Sequence, residues 1–354
     1  MTSGIVVTGT AQREAWGLRV LPPVEALPGG VWSVPVVLTG HPLRYTLCYV
    51  LESSRGPVLI DPGAPDDAAW HSLVVGLSAA GIEPPDVYGV LVTHAHSDHC
   101  GLAGRLQRAA GCWIGMHALD IELLRSFACG GATRQRGGRF QEIAGVPGPE
   151  RPGLSVEAGQ LRSFASTIPD RVIQDGAGGL VPGRGLTARW TPGHTPGHLC
   201  FVDEPAGLAF TGDHLLPRIT SHVGGYTRDS GDVLGDYLTS VEAMSGLGDD
   251  TEILPAHEYR FRGARARATA LEQHHAGRLA EIAGVVAALG SVTTWDVATR
   301  VHWSRSWAET TGQRRRLALA ETMAHLRHLE AVGCLRPLAD LPARWGTCET
   351  SEKG

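Results

Sequence analysis

Four potential cation-binding side chains crowd into six residues, His94-Ala95-His96-Ser97-Asp98-His99. Further candidates recur at intervals: His194 and His198 in Thr191-Pro192-Gly193-His194-Thr195-Pro196-Gly197-His198, Asp213 in Gly212-Asp213-His214, and His257 in Leu254-Pro255-Ala256-His257. Asp61, in Leu59-Ile60-Asp61-Pro62-Gly63, precedes them all. Neutral imidazoles and carboxylates are ligands for borderline divalent metals, and a catalytic centre built from them leaves positions open for water and substrate. Taken singly, each histidine reads as a satisfied structural residue. The joint pattern reads as a metal centre, in which one loop begins two adjacent sites that His194, Asp213 and His257 complete.

The elements around these residues explain how they could converge. Val31–Leu38, Tyr45–Glu52 and Pro57–Ile60 are β-branched and aromatic runs bounded by Gly, Pro and Ser, as consecutive strands require. Asp67–Ala80 reads as a helix, and Val87–Thr93 as a strand running into the histidine cluster. Cys100–Ala110 then has helical spacing up to Gly111. A second cycle gives a strand at Cys112–Met116 and a helix at His117–Phe127, followed by a Gly- and Arg-rich stretch, Cys129–Gly153, that reads as a long loop or lid. Leu186–Trp190, Leu199–Asp203 and Leu208–Thr211 are strands, each ending beside a His or Asp of interest. Beyond Phe261 the spacing predicts helices at Ala264–Leu289, Thr294–Val301 and Gly312–Val332, with a hairpin from Cys334–Leu338 and Leu341–Cys348. Three helices and a hairpin resemble a winged-helix-like appendage. The expected domains are therefore 1–260 and 261–354.

The order His-x-His-x-Asp-His, Gly-His, Gly-Asp and a late His resembles the metallo-β-lactamase-fold hydrolase superfamily over about residues 20 to 260. That resemblance implies an α+β fold, an αββα sandwich with the site along one edge of two sheets. It implies that His94, His96 and His194 hold one metal, that Asp98, His99 and His257 hold a second, and that Asp213 bridges them. Asp61 then matches the supporting acid that orients ligands through hydrogen bonds. The segment Leu216-Pro217-Arg218-Ile219, the Gly-Asp-Tyr-Leu helix near Asp236 and the C-terminal appendage are more specifically similar to the beta-lactamase-like protein 2 group, which includes ribonucleases and has thioesterase relatives. The implied chemistry is hydrolysis. Two cations, most simply zinc with manganese or iron as alternatives, lower the pKa of a bridging water toward neutrality and polarise the substrate oxygen. Asp98 is the proton acceptor and donor. The expected substrate is a small acyl thioester, ester or lactone; a phosphodiesterase or endoribonuclease would use the same metals. Catalysis needs no side-chain nucleophile, so Cys100 reads as a packing residue. His198 is a candidate supporting residue, and His222 and Tyr226 are candidates for facing the substrate, with packing of a solvent loop as the alternative.

Composition narrows the setting. The chain has 354 residues, 43% of them hydrophobic, with 16 His, 7 Cys and a formal net charge of -5. An apolar fraction of this size builds a core, and no apolar run approaches the roughly 20 residues of a membrane span. The N-terminus lacks a basic region followed by an apolar one, so the expected setting is cytoplasmic, without membrane partners. The odd, scattered cysteines form no Cys-x-x-Cys pair and predict neither a disulfide framework nor a thiolate zinc site. The segment 260–316 carries a net +6. A basic winged-helix-like domain invites a nucleic-acid-binding or regulatory reading. Charges spread along helices, with no recognition motif, favour instead a salt-bridged domain that roofs the site or makes a homodimer contact.

Overall fold

The computed structural model describes residues 4–128, 138–154, 169–224 and 231–348. Tyr226, a candidate above, lies outside them, as does part of the stretch expected to form a lid. The chain forms two compact units. The first comprises Met1–Ala128, Gly159–Ser221 and Ser240–Ala270; the second comprises Cys129–Ala158, His222–Thr239 and Leu271–Gly354. The second unit is thus assembled from three stretches, whereas the sequence suggested 261–354 alone.

The first unit holds two mixed sheets. One has seven strands in the order β2 (Glu25–Leu27), β3 (Val31–Val37), β4 (Tyr45–Leu51), β5 (Val58–Ile60), β6 (Gly89–Leu91), β7 (Trp113–His117), β8 (Arg171–Ile173). The other runs β1 (Val6–Val7), β13 (Phe261–Arg262), β12 (Glu252–Pro255), β11 (Leu208–Gly212), β10 (Leu199–Asp203), β9 (Leu186–Trp190). Successive side chains of a strand face opposite sides of its sheet, and β4 shows what this achieves when both faces are buried. Cys48 and Val50 join an apolar cluster with residues of the helices Asp67–Ala79 and Ala103–Ala110, including Leu73, Leu77 and Leu106. Tyr45, Leu47, Tyr49 and Leu51 join a second cluster with Leu186, Phe201, Phe210 and Leu254 of the other sheet. Tyr49 and Phe210 meet edge to face, with centroids 5.3 Å apart. The expected α+β sandwich of two sheets is present.

Strand direction puts the chemistry at one edge. β5 and β6 are parallel, as are β11 and β12, while β9 is antiparallel to β10, which is antiparallel to β11. Hence β9, β11 and β12 point the same way. Asp61, His94–His99, His194, Asp213 and His257 follow the C-terminal ends of β5, β6, β9, β11 and β12 respectively. The two sheets are also hydrogen-bonded to each other beside that edge. Tyr49 donates to the Pro255 carbonyl (2.9 Å), Tyr45 to the Glu258 carbonyl (2.7 Å), and the Leu47 N–H to the Ala256 carbonyl (2.7 Å).

The second unit contains the helices Thr294–Ala298 and Gly312–Ala331 and the hairpin β14 (Leu335–Asp340) and β15 (Ala343–Thr347), close to the expected bounds. Thr293 and Asp296 form a reciprocal capping box that starts the shorter helix. The stretch read as a lid is corrected where it is described. Residues 138–143 are helical, and Phe140, Ile143, Ala144 and Val146 pack with Ile282, Val286, Leu319, Met323 and Trp345. Its glycines and arginines hid four core side chains. Basic residues of the 260–316 segment are tied down within their own units: Arg260 to Glu25 and Glu252, Arg278 to Glu281, Arg315 to Glu150.

Two buried histidines of the second unit make its stability depend on acidity. His325 Nδ1 lies 2.8 Å from the Glu321 carbonyl and therefore carries the proton, leaving Nε2 to accept from His275 Nδ1 at 3.2 Å. Burial, with His325, His274, Arg278 and His328 nearby, pushes His275 down to about 3, and burial pushes His325 down to about 4. The unfolded chain binds both protons below about pH 6.5 while the folded unit does not, so their stabilisation is complete above that pH. It declines as the pH falls toward 4, by up to about 1.4 kcal/mol per pH unit for each histidine. Urea midpoints of the native chain and His325→Gln should therefore converge between about pH 7 and 4.5; parallel curves would contradict this account.

Candidate metal centre

His94, His96 and His194 bring three ring nitrogens together. His96 Nδ1 lies 2.9 Å from His94 Nε2 and 2.9 Å from His194 Nε2, and the latter two are 3.2 Å apart. A neutral imidazole offers one donor and one acceptor, so three nitrogens in mutual contact cannot all be satisfied by sharing protons. Ligand nitrogens about 2.0 to 2.1 Å from a tetrahedral cation would stand at nearly this spacing.

Asp98, His99 and His257 form the second group. His257 Nε2 is 3.4 Å from Asp98 Oδ2, and His99 Nε2 is 3.6 Å from the same oxygen. Asp213 stands between the groups: Oδ1 lies 3.2 Å from His257 Nε2 and 3.6 Å from His99 Nε2, while Oδ2 lies 3.6 Å from His194 Nε2. His94, His99 and Asp213 themselves have ligand atoms within 4.8 Å of one another. The structure thus assembles all seven side chains singled out by the sequence.

Tautomers follow from the partners behind the rings. Asp61 accepts from the Thr93 N–H (2.8 Å), the Thr93 hydroxyl (2.6 Å) and His99 Nδ1 (2.8 Å). The Thr93 hydroxyl, its proton committed to Asp61, accepts from His94 Nδ1 at 2.9 Å. His257 Nδ1 donates to the Tyr45 carbonyl at 2.9 Å. Each Nδ1 bond turns Nε2 toward the centre, the orientation that ligating imidazoles require. His99 Nε2, His257 Nε2 and Asp213 Oδ1 are buried and make no hydrogen bond. Buried polar atoms left this way are costly, and here they converge on one another.

The electrostatics favour a cation at the same place. Burial alone would lower His99, but Asp98, Asp213 and Asp61 raise it to about 10. Burial alone would raise Asp98, yet His99 and His257 hold it well below the usual carboxylate range. Two of the three histidines are pushed the other way: burial lowers His94, and burial and His194 lower His96 to about 3. Neutral imidazoles on one side and charge-demanding carboxylates on the other fit a divalent-metal donor set.

The expected supporting residues also find places. Asp61 sits at φ 54, a left-handed conformation, and fixes a histidine of each group through the bonds above. His198 is fully buried, with its ring 5.1 Å from that of His94 and Nδ1 2.8 Å from the Thr191 hydroxyl. Gly212, at φ +49 and beside a register shift in β11, turns Asp213 inward; a Cβ there would stand 2.7 Å from Thr93 Oγ1 and 2.9 Å from His198 Nε2. Cys100 packs in the apolar cluster, where burial pushes its thiol up. His222 belongs to the second unit.

Sequence reasoning missed Asp120. Asp120 is fully buried and accepts from the Ala95 N–H (2.7 Å), the Thr195 hydroxyl (2.7 Å) and the Gly197 N–H (2.6 Å). One carboxylate thereby braces the loop of His94 and His96 against the loop of His194. Its signal was available, because it follows β7 as the other acids follow their strands. His41 is exposed; partial burial of its ring lowers it, opposed by the charges of Asp98 and Asp213.

The model of the metallo-beta-lactamase superfamily matches residues 41–257. The chain is 27% identical over 271 residues to the lactamase-like protein adaB of Aspergillus niger, covering 74% of this chain and 65% of that protein. The match therefore spans slightly under two thirds of that relative. An atrochrysone carboxyl ACP thioesterase of Aspergillus chevalieri is 27% identical over 300 residues, 82% of this chain and 79% of its own. Among solved structures, a metallo-beta-lactamase family protein from Thermus thermophilus superposes with a TM-score of 0.77 at 27% identity, covering 91% of this chain and 100% of that one. A beta-lactamase domain protein from Burkholderia ambifaria has the same fold, with a TM-score of 0.78 at 21% identity over 97% of both chains.

Proposed function

Because the chain belongs to the metallo-beta-lactamase superfamily, we propose that this metal-dependent hydrolase is dinuclear and cleaves an acyl thioester. The observation that carries the reading is Asp213, whose two oxygens face different ligand groups. Similarity to a carrier-protein thioesterase supports the substrate class. His94, His96 and His194 would hold one cation and Asp98, His99 and His257 the other, with Asp213 shared. Zinc suits this imidazole-rich set, and manganese or iron are the alternatives. Bound there, the cations would supply Lewis acidity toward the thioester carbonyl and acidify a water molecule.

The chain's own residues do the rest. Asp61, Thr93, Asp120 and the Tyr45 carbonyl hold the imidazoles in orientation, so little rearrangement is needed during reaction. Asp98 Oδ2, on the more exposed of the two central carboxylates (22% against 12% for Asp213), takes the proton of the attacking water. The new bond joins water oxygen to the acyl carbon, the C–S bond breaks, and Asp98 returns the proton to the departing thiolate.

The test is elemental analysis of the purified chain, followed by assay of the metal-loaded protein on an acyl thioester, a lactone, a phosphodiester and single-stranded RNA. Two equivalents of metal with thioester turnover is the expected result. Turnover of the phosphodiester or RNA instead would replace the substrate while keeping the centre. A chain that binds no metal would overturn both.

A further inference from the structure

We infer that the first unit carries a second ligand site, a pocket for a planar organic anion. A cavity of about 400 Å³ is lined by Ile5, Val7, Arg13, Trp16, Arg218 and Tyr259, a size typical of small-molecule sites. None of these residues belongs to the seven-residue centre, and the inference does not depend on which reaction that centre performs.

The pocket is pre-organised. The Arg44 guanidinium lies 3.9 Å from the Trp16 ring centroid and donates to the Trp16 carbonyl at 2.9 Å, while Tyr45 meets the same ring edge-on at 5.7 Å. The indole is therefore held in place by Arg44 and Tyr45. Arg218 is fixed too: its backbone N–H and Nε donate to the two carboxylate oxygens of Glu258 at 3.1 and 3.0 Å. Glu258 is fully buried at φ 69, a conformation that non-glycine residues keep only when their surroundings enforce it. Arg13 is exposed, and its side chain makes no ion pair among the described residues.

These groups define the ligand's chemistry. Ile5, Val7 and Trp16 offer an apolar wall for a flat body. Arg13 and Arg218 place two guanidinium charges over it, against the single buried carboxylate of Glu258. Burial and Glu258 raise Tyr259, so its phenol keeps its proton and serves as a donor. A carboxylate, sulfonate or phosphate on an aromatic or conjugated frame meets both requirements, since guanidinium pairs well with planar oxyanions. A bare inorganic anion would forgo the wall, and a neutral arene would forgo the charges.

The probe is 2-naphthalenesulfonate, which cannot be hydrolysed, titrated into the full chain by ligand-observed NMR before and after EDTA treatment. Saturable binding that survives EDTA is expected, weakened by at least about tenfold in Arg13→Glu and in Trp16→Ala, with inorganic sulfate failing to compete. Arg13→Glu should leave the melting temperature unchanged, because the side chain is exposed. Binding lost on chelation, or equal in Arg13→Glu and the native chain, would overturn the proposal.

Discussion

Asp213→Asn is expected to lower bound metal and to reduce hydrolysis by at least about 10³-fold, while the chain still folds. Asparagine keeps the volume of the side chain but removes the charge and one of the two acceptor oxygens. That change is severe at this position because Oδ1 and Oδ2 serve different groups, one facing His99 and His257, the other His194. Burial alone would raise Asp213, and it is the three histidines that keep it ionised. Without the carboxylate His194 loses the anion 3.6 Å from its Nε2, while Asp98 still faces the Nε2 atoms of His99 and His257. Elemental analysis and single-turnover kinetics measure the two effects, and a thermal melt separates them from unfolding. A variant retaining full metal content and native turnover would rule out a shared ligand.

Asp120→Asn should be nearly as damaging although Asp120 touches no member of the ligand set. Its Oδ2 accepts from Ala95 and Thr195, and its Oδ1 from Gly197. An asparagine can turn only one oxygen toward these donors. The amide NH₂ must then face a backbone N–H, so at least one buried donor loses its acceptor and meets another donor. The expected cost is about 2 to 4 kcal/mol of stability. Loosening the loops that carry His94, His96 and His194 should also weaken metal binding by about 10- to 100-fold. Asp120→Glu is a useful companion, because it keeps both oxygens yet crowds Gly197, whose Cβ position is already 2.7 Å from Asp120 Oδ1. Denaturant midpoints and chelator competition report the two effects separately. Native metal affinity in Asp120→Asn would show that the brace is ornamental to the centre.

Much of this arrangement was legible in the chain. Ligand residues follow strand ends, and strand ends are announced by β-branched runs stopping at Gly, Pro or Asp; His94–His99 and Asp213 could be placed that way without coordinates. Long helices were equally clear, and Ala264–Leu289 matches its expected bounds. Asp120 was harder, since an acid in the first turn of a helix is commonplace and its three donors come from residues distant in sequence. The helix at 138–143 went unread because it is short and flanked by Gly, Pro and Arg, and the burial of Phe140, Ile143 and Ala144 is decided by partners beyond residue 280. Periodicity reports which face of an element is buried, not which distant groups it meets there.

The tyrosine bonds between the sheets bear on how the first unit breathes. Tyr45, Leu47 and Tyr49 fasten β4 to the backbone from Pro255 to Glu258. The sandwich is therefore bound like a book, with its spine beside the histidines. Fluctuations that part the two sheets must begin at the far margin, so amides of Ala256 and Leu47 should exchange with solvent only in the most global openings.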